Sequence, residues 1–125
     1  MHLVRWRAGD MSKQEQRWRP MSLLPAFKFA IGSAAETSRV QAENMRLAIS
    51  QSSSINRFEL TRMRLTFEDT ILNVEMCREQ VQRWRGEHPT SEQMAALDQL
   101  ENTIEQWDHD TKIVISAAMT LLHEG

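Results

Sequence analysis

The sequence predicts an all-α protein, an elongated three-helix bundle built on a long antiparallel, coiled-coil-like helical hairpin. Three observations predict it. The first is a pair of apolar tracks whose steps alternate between three and four residues. One track runs through Leu60, Met63, Phe67, Thr70, Val74, Cys77, Val81 and Trp84; the other runs through Leu97, Leu100, Ile104, Trp107, Thr111, Val114, Ala118 and Leu121. An unbroken alternation of this kind keeps one helix face turned toward a neighbour. The second is the punctuation between the tracks, where Gly86 and Pro89 interrupt and Thr90 restarts. The third is composition: few glycines and prolines, no tyrosine, 8 methionines and many strong helix formers.

Taken in order, residues 1–22 read as a basic, flexible arm. Arg5, Arg7, Lys13, Arg17 and Arg19 outnumber Asp10 and Glu15, and no helical periodicity is present. The first helix is expected over about 25–51, because Pro25 suits a first helical turn. Leu24, Ile31, Ala35, Ser38, Ala42, Met45 and Ile49 trace its inner face, which is rich in small residues. Ser52-Ser53-Ser54 forms a break, and Asn56 with Glu59 can cap a second helix over about 56–86. Arg83 and Arg85 complement the negative end of that helix, and Gly86 suits a left-handed cap. Thr90 and Gln93 make a capping box for a third helix over about 91–123. A connection this short makes the second and third helices antiparallel. In the implied register Thr70 lies near Trp107, Phe67 near Thr111, and Cys77 opposite Leu100, with Trp107, Phe67 and Cys77 inside.

The second helix carries a further apolar line. Phe58, Leu65, Leu72 and Met76 lie opposite the Leu60–Trp84 track, given 100° per residue. The third helix covers one side of the second only. The other side calls for the first helix, a partner chain, or both. Phe58, Leu65, Leu72 and Met76 are therefore the candidate partner-binding residues.

Chemistry-bearing patterns are sparse. Glu101, Glu105 and His109 are spaced like helical metal ligands but fall away from the seam, as does Asp108-His109-Asp110, so a solvated polar face is expected. The sole cysteine, Cys77, has no histidine near its layer. No glycine-rich phosphate loop exists. Neither catalysis, nor a cofactor, nor a metal, nor a small-molecule substrate is expected. No apolar run is long enough to span a bilayer, and Lys28 interrupts the nearest approach to a secretory signal. One cysteine suits a reducing compartment, so a cytoplasmic location is expected.

Two classes of function follow. The first is a non-enzymatic protein–protein interaction module, an adaptor, chaperone-like protein, inhibitor or assembly subunit, meeting a protein partner or a second copy through helix–helix contacts. The second is nucleic-acid or anionic-surface binding through the arm. There Arg5, Trp6, Arg7, Arg17, Trp18 and Arg19 combine stacking rings with phosphate-holding guanidiniums. A third possibility comes from a resemblance. Trp84-Arg85-Gly86 at a helix–helix turn resembles the Trp-x-Gly turn of the WXG100 family, small helical hairpins exported by specialised secretion systems. That resemblance implies a secreted hairpin. The chain departs from the family in having an additional helix and no tyrosine-containing tail motif.

Overall fold

The computed structural model describes residues 18–51 and 55–124. The fold is all-α, a three-helix bundle. The chain enters at Trp18, passes extended through Pro20 and makes one 3-10 turn, Met21–Leu23. Helix α1, Leu24–Ser50, follows with Pro25 in its first turn. Helix α2 is Arg57–Arg85 and helix α3 is Ser91–Glu124. Each boundary lies within a residue of expectation. Residues 18–22, assigned to the arm from their charge, are instead part of the described fold. Ser52, Ser53 and Ser54 lie outside the described residues.

The caps explain where the helices start. Asn56 Oδ1 accepts the N–H groups of Phe58 at 2.7 Å and Glu59 at 3.2 Å. Thr90 and Gln93 close the expected box: the Thr90 N–H donates to Gln93 Oε1 at 2.9 Å, and the Gln93 N–H donates to Thr90 Oγ1 at 3.1 Å. These bonds satisfy donors that have no partner inside the helix. The end of α2 departs from expectation. Gly86 has φ −83°, so it is not a left-handed cap. The last turn tightens instead, with Gly86 N–H donating to Arg83 O at 3.2 Å and Glu87 N–H to Trp84 O at 3.0 Å. The left-handed residue is His88, at φ 55°, a conformation that histidine adopts more readily than most side chains.

Helix α3 is the centre of the bundle, with α1 and α2 both packed closely against it. Leu97, Leu100, Ile104, Trp107, Thr111, Val114 and Ala118 are all buried. The facing track on α2 buries Leu60, Val74, Val81 and Trp84 fully, whereas Met63, Phe67, Thr70 and Cys77 are only half-buried. Phe67 and Cys77 thus lie at the margin of the core rather than inside it. On α1 the buried residues are Leu24, Ile31, Ser38, Ala42, Met45 and Ala48. Ile49, expected on this face, is exposed, and Ala48, three residues after Met45, takes the inner place.

Between α1 and α2 the meeting is through side chains. The Phe27 ring stands edge-on to Trp84 with centroids 5.1 Å apart, a favoured aromatic geometry. Gln41 Nε2 reaches Met63 Sδ at 3.7 Å. One apolar cluster gathers Leu24, Ile31, Val81, Trp84, Leu97 and Trp107. A second gathers Ala42, Met45, Leu60, Val114 and Ala118. Along both α1 and α3, the hydroxyl pair Ser38 and Thr111 falls between them, buried, with oxygens 3.0 Å apart.

Removing one hydroxyl of that pair strands the other without water, whereas removing both leaves an apolar contact. Thr111→Val alone is expected to cost about 1–3 kcal/mol, and Ser38→Ala combined with Thr111→Val is expected to regain most of that loss in denaturant unfolding. Additive losses would show that the two hydroxyls do not depend on each other. A Cβ on Gly86 would meet Arg83 O at an ordinary 3.5 Å. Gly86→Ala is therefore expected to keep or raise stability by up to about 1 kcal/mol, by restricting the unfolded chain. A loss of stability in thermal melts would restore the left-handed cap.

Candidate functional site

Helix α1 packs on α3 and leaves the outer line of α2 open. Phe58 is 69%, Leu65 51%, Leu72 66% and Met76 40% exposed. These four residues project along one side of α2 for about 27 Å, at 1.5 Å per residue. Two charged residues interrupt the line, Arg62 and Asp69, both exposed. The Arg62 guanidinium lies 6.0 Å from the centroid of the Phe58 ring, close enough for a weak cation–π attraction.

Beside the C-terminal half of the line runs an open groove of about 580 Å³. Leu72, Met76, Val81 and Ile104 give it an apolar floor, and Glu75, Glu79 and Glu101 stand at its rim. Arg78 also lines it, but Arg78 is engaged by Glu75, Glu105 and Asp108 at 3.6, 3.1 and 3.4 Å. Partial burial works against the charge of Arg78. The hydrogen bond to Glu105 and the attraction of Asp108 outweigh that and hold its pKa above the ordinary value. Arg85 bridges Asp98 at 2.9 Å and Glu101 at 2.5 Å. Those hydrogen bonds, Asp98 first, likewise raise its pKa. These pairs staple α2 to α3 in antiparallel register.

The acidic patterns of α3 are placed differently from expectation. Glu105 and His109 are exposed and Glu101 is half-exposed, but Asp108 and Asp110 are buried rather than solvated. The two aspartates have different partners. Asp108 turns toward α2, where Arg78 meets it, and also receives Lys112 Nζ at 3.1 Å. Asp110 accepts from Gln106 Nε2 at 3.1 Å. Buried carboxylates need such partners. Among the described residues no group of three or more His, Cys, Asp or Glu side chains could hold a metal, and no helix is long and apolar enough to cross a membrane.

Of the arm residues, Arg5, Trp6, Arg7, Lys13 and Arg17 lie outside the described residues. Trp18 and Arg19 are seated on the end of α2. The Arg19 N–H donates to Gln80 Oε1 at 2.8 Å. The Arg19 carbonyl accepts from Trp84 Nε1 at 2.8 Å and from Gln80 Nε2 at 3.4 Å. Above them the Arg83 guanidinium lies 4.1 Å from the centroid of the Trp18 ring, within the range of a strong cation–π contact. This clamp buries Gln80, a polar residue with no apolar neighbour pattern to mark it in the sequence. It also completes the environment of Trp84: the indole is fully buried and its N–H is satisfied by main chain sixty-five positions earlier. Trp84 and Gly86, the residues behind the WXG100 resemblance, thus have roles in core packing and helix ending.

Compared with known proteins, the chain matches no family model, no curated protein and no solved structure.

Cys77 is half-buried against the Trp84–Trp107 cluster, and burial pushes its thiol pKa up. The thiolate is the reactive form, so a disulfide reagent at neutral pH is expected to modify the native protein at least ten times more slowly than the denatured chain. Equal rates would place Cys77 in an open, polar setting.

Proposed function

We propose that the protein is a non-enzymatic protein–protein interaction module that associates with a second copy of itself through the outer face of α2. The observation that supports this reading is the apolar line Phe58, Leu65, Leu72 and Met76, still open to solvent after all three helices have packed. Monomers seldom keep contiguous apolar strips of more than a few hundred Å².

The charges on the line favour a second copy. Arg62 and Asp69 are seven residues apart on the same face. A two-fold axis crossing α2 midway between them sets Arg62 of each chain opposite Asp69 of the other. The same axis brings Leu65 against its own symmetry mate and Phe58 toward Leu72 across the interface. Self-complementary patches of this kind are the usual route to soluble homodimers. One helix against one helix falls at the small end of specific interfaces, below about 1,200 Å² in total. The association is therefore expected to be reversible on dilution.

The alternative of stacking nucleic acid through the arm has less to work with. Trp18 is already covered by Arg83, and the Arg19 main chain is held by Gln80 and Trp84.

Leu65→Glu with Leu72→Glu changes only exposed positions and places four carboxylates at the proposed interface. The variant is expected to keep its helical circular dichroism and melting temperature and to fall from dimer to monomer mass in light scattering. The pairing of Arg62 with Asp69 across the axis gives a further check, since Arg62→Asp alone should weaken the dimer and Arg62→Asp with Asp69→Arg should restore it. A parent already monomeric at 100 μM or so would remove self-association, since an interface of this size is expected to hold in that range.

A further inference from the structure

The groove beside Leu72 and Met76 is lined by α2 and α3 alone. Its floor is apolar, with Leu72 and Met76 left exposed and Val81 and Ile104 packed beneath them. Its surroundings hold more carboxylates than the nearby arginines neutralise. Arg78 is shared by Glu75, Glu105 and Asp108, Arg83 pairs with Glu79, and Arg85 is shared by Asp98 and Glu101. Six carboxylates thus meet three guanidiniums, with Lys112 on Asp108 adding a fourth cation. The surplus negative charge faces outward. Glu75, Glu79 and Glu101 keep 62%, 56% and 43% of their side-chain surface exposed, whereas Arg78 and Arg85 keep only 30% and 21%.

We propose that this groove takes a basic amphipathic helix of a partner protein, its apolar face on Leu72 and Met76 and its lysines or arginines over Glu75, Glu79 and Glu101. A channel between two packed helices is a seat for the apolar side of a third, which presents residues at i, i+3, i+4 and i+7. Leu72 to Gln82 spans about 15 Å of α2, the length of roughly three turns of a partner helix. Met76 is unbranched and polarizable, so it adapts to the side chains laid against it. Charge selects the partner. The ion pairs of Glu75 and Glu79 are surface pairs of small worth, so each glutamate can take a further cation at little cost. An acidic helix would instead set like charges against the same rim, which disfavours it.

A second copy of this chain does not fill the groove. With Arg62 opposite Asp69 across the two-fold axis, Arg57 of the partner subunit falls level with Val74. Arg57 is the first residue of α2. The facing helix therefore stops there, and Glu75, Met76, Glu79 and Gln82 lie beyond its end. Leu72 is common to both surfaces, so the two meet at one end only. The groove's occupant does not rest on self-association.

The test titrates a synthetic helical peptide of leucine and lysine, about four turns long with all its leucines on one face, into the isotope-labelled full chain. Binding is followed by backbone amide chemical shifts. The expected result is saturable shifts at Met76, Glu79, Gln82 and Glu101, with Phe58 and Leu65 unmoved. The charge reversal Glu75→Lys with Glu79→Lys, both exposed positions, should weaken binding at least ten-fold with circular dichroism unchanged, and salt should weaken it too. Two control peptides should bind at least ten-fold more weakly: one with glutamate in place of lysine, and one of the same composition shuffled so that no apolar face forms. Equal binding by the shuffled peptide would reduce the effect to diffuse charge attraction and overturn the groove. Shifts centred on Phe58 and Leu65 or on α1, or no saturable shift up to about 1 mM peptide, would overturn it as well. Shifts at Glu79 and Gln82 on raising protein concentration without peptide would make a second copy the occupant, and would overturn the basic partner. Light scattering on the same samples reads self-association by itself, so its failure and the failure of the groove are told apart.

Discussion

The buried arc of α3 is wider than one neighbour can cover. Its buried residues, from Leu97 through Asp108 on one side to Asp110 and Ala117 on the other, sweep about 180° around the helix axis at 100° per residue. A single packed helix covers a narrower stripe. Two neighbours are needed, and α1 and α2 are those two. The middle of the arc, Leu100, Trp107, Thr111 and Ala118, is shared. Its flanks are not: Asp108 answers Arg78 of α2, while Asp110 lies on the α1 side, where its charge acts on Arg39. Because α1 is committed to α3, nothing in the described fold remains to cover the outer line of α2.

Size complementarity explains how α1 can be held. Its inner face contains Ser38, Ala42 and Ala48, small enough for close approach to the Thr111, Ala117 and Ala118 side of α3. Close backbone approach compensates for the small apolar area that each such residue buries. The bulky contributions come at one end, where Leu24 and Phe27 reach Trp84, and Met45 fills the other cluster. The Ser38–Thr111 hydrogen bond lies between these ends and fixes how α1 slides along α3, since any shift would leave two hydroxyls buried without partners.

The entry of the chain has a local role. The Arg19 peptide satisfies an indole and an amide that burial would otherwise leave unpaired.

Much of the helical layout was legible from residue order. The alternating tracks placed the buried residues of α3 well, because a helix hides whatever faces a neighbour every three or four residues. The caps at Asn56 and Thr90 were legible because capping is a contact between residues three apart. The open line on α2 was visible as a second stripe, although not whether α1 would cover it. What residue order did not carry was the choice of neighbour. Nothing local distinguishes a helix covered on two sides by different partners from one packed on a single hairpin arm, so the central place of α3 and the burial of Asp108 and Asp110 came only with the fold. The same holds for Gln80 and for Arg19, whose pairing joins positions sixty-one apart and depends on where α1 sets the chain entry. Even the sign of φ at Gly86 and His88 was decided by how the two helices had to meet. Periodicity and capping are short-range and survive in the sequence; which face meets which is a property of three helices competing for one another's surfaces.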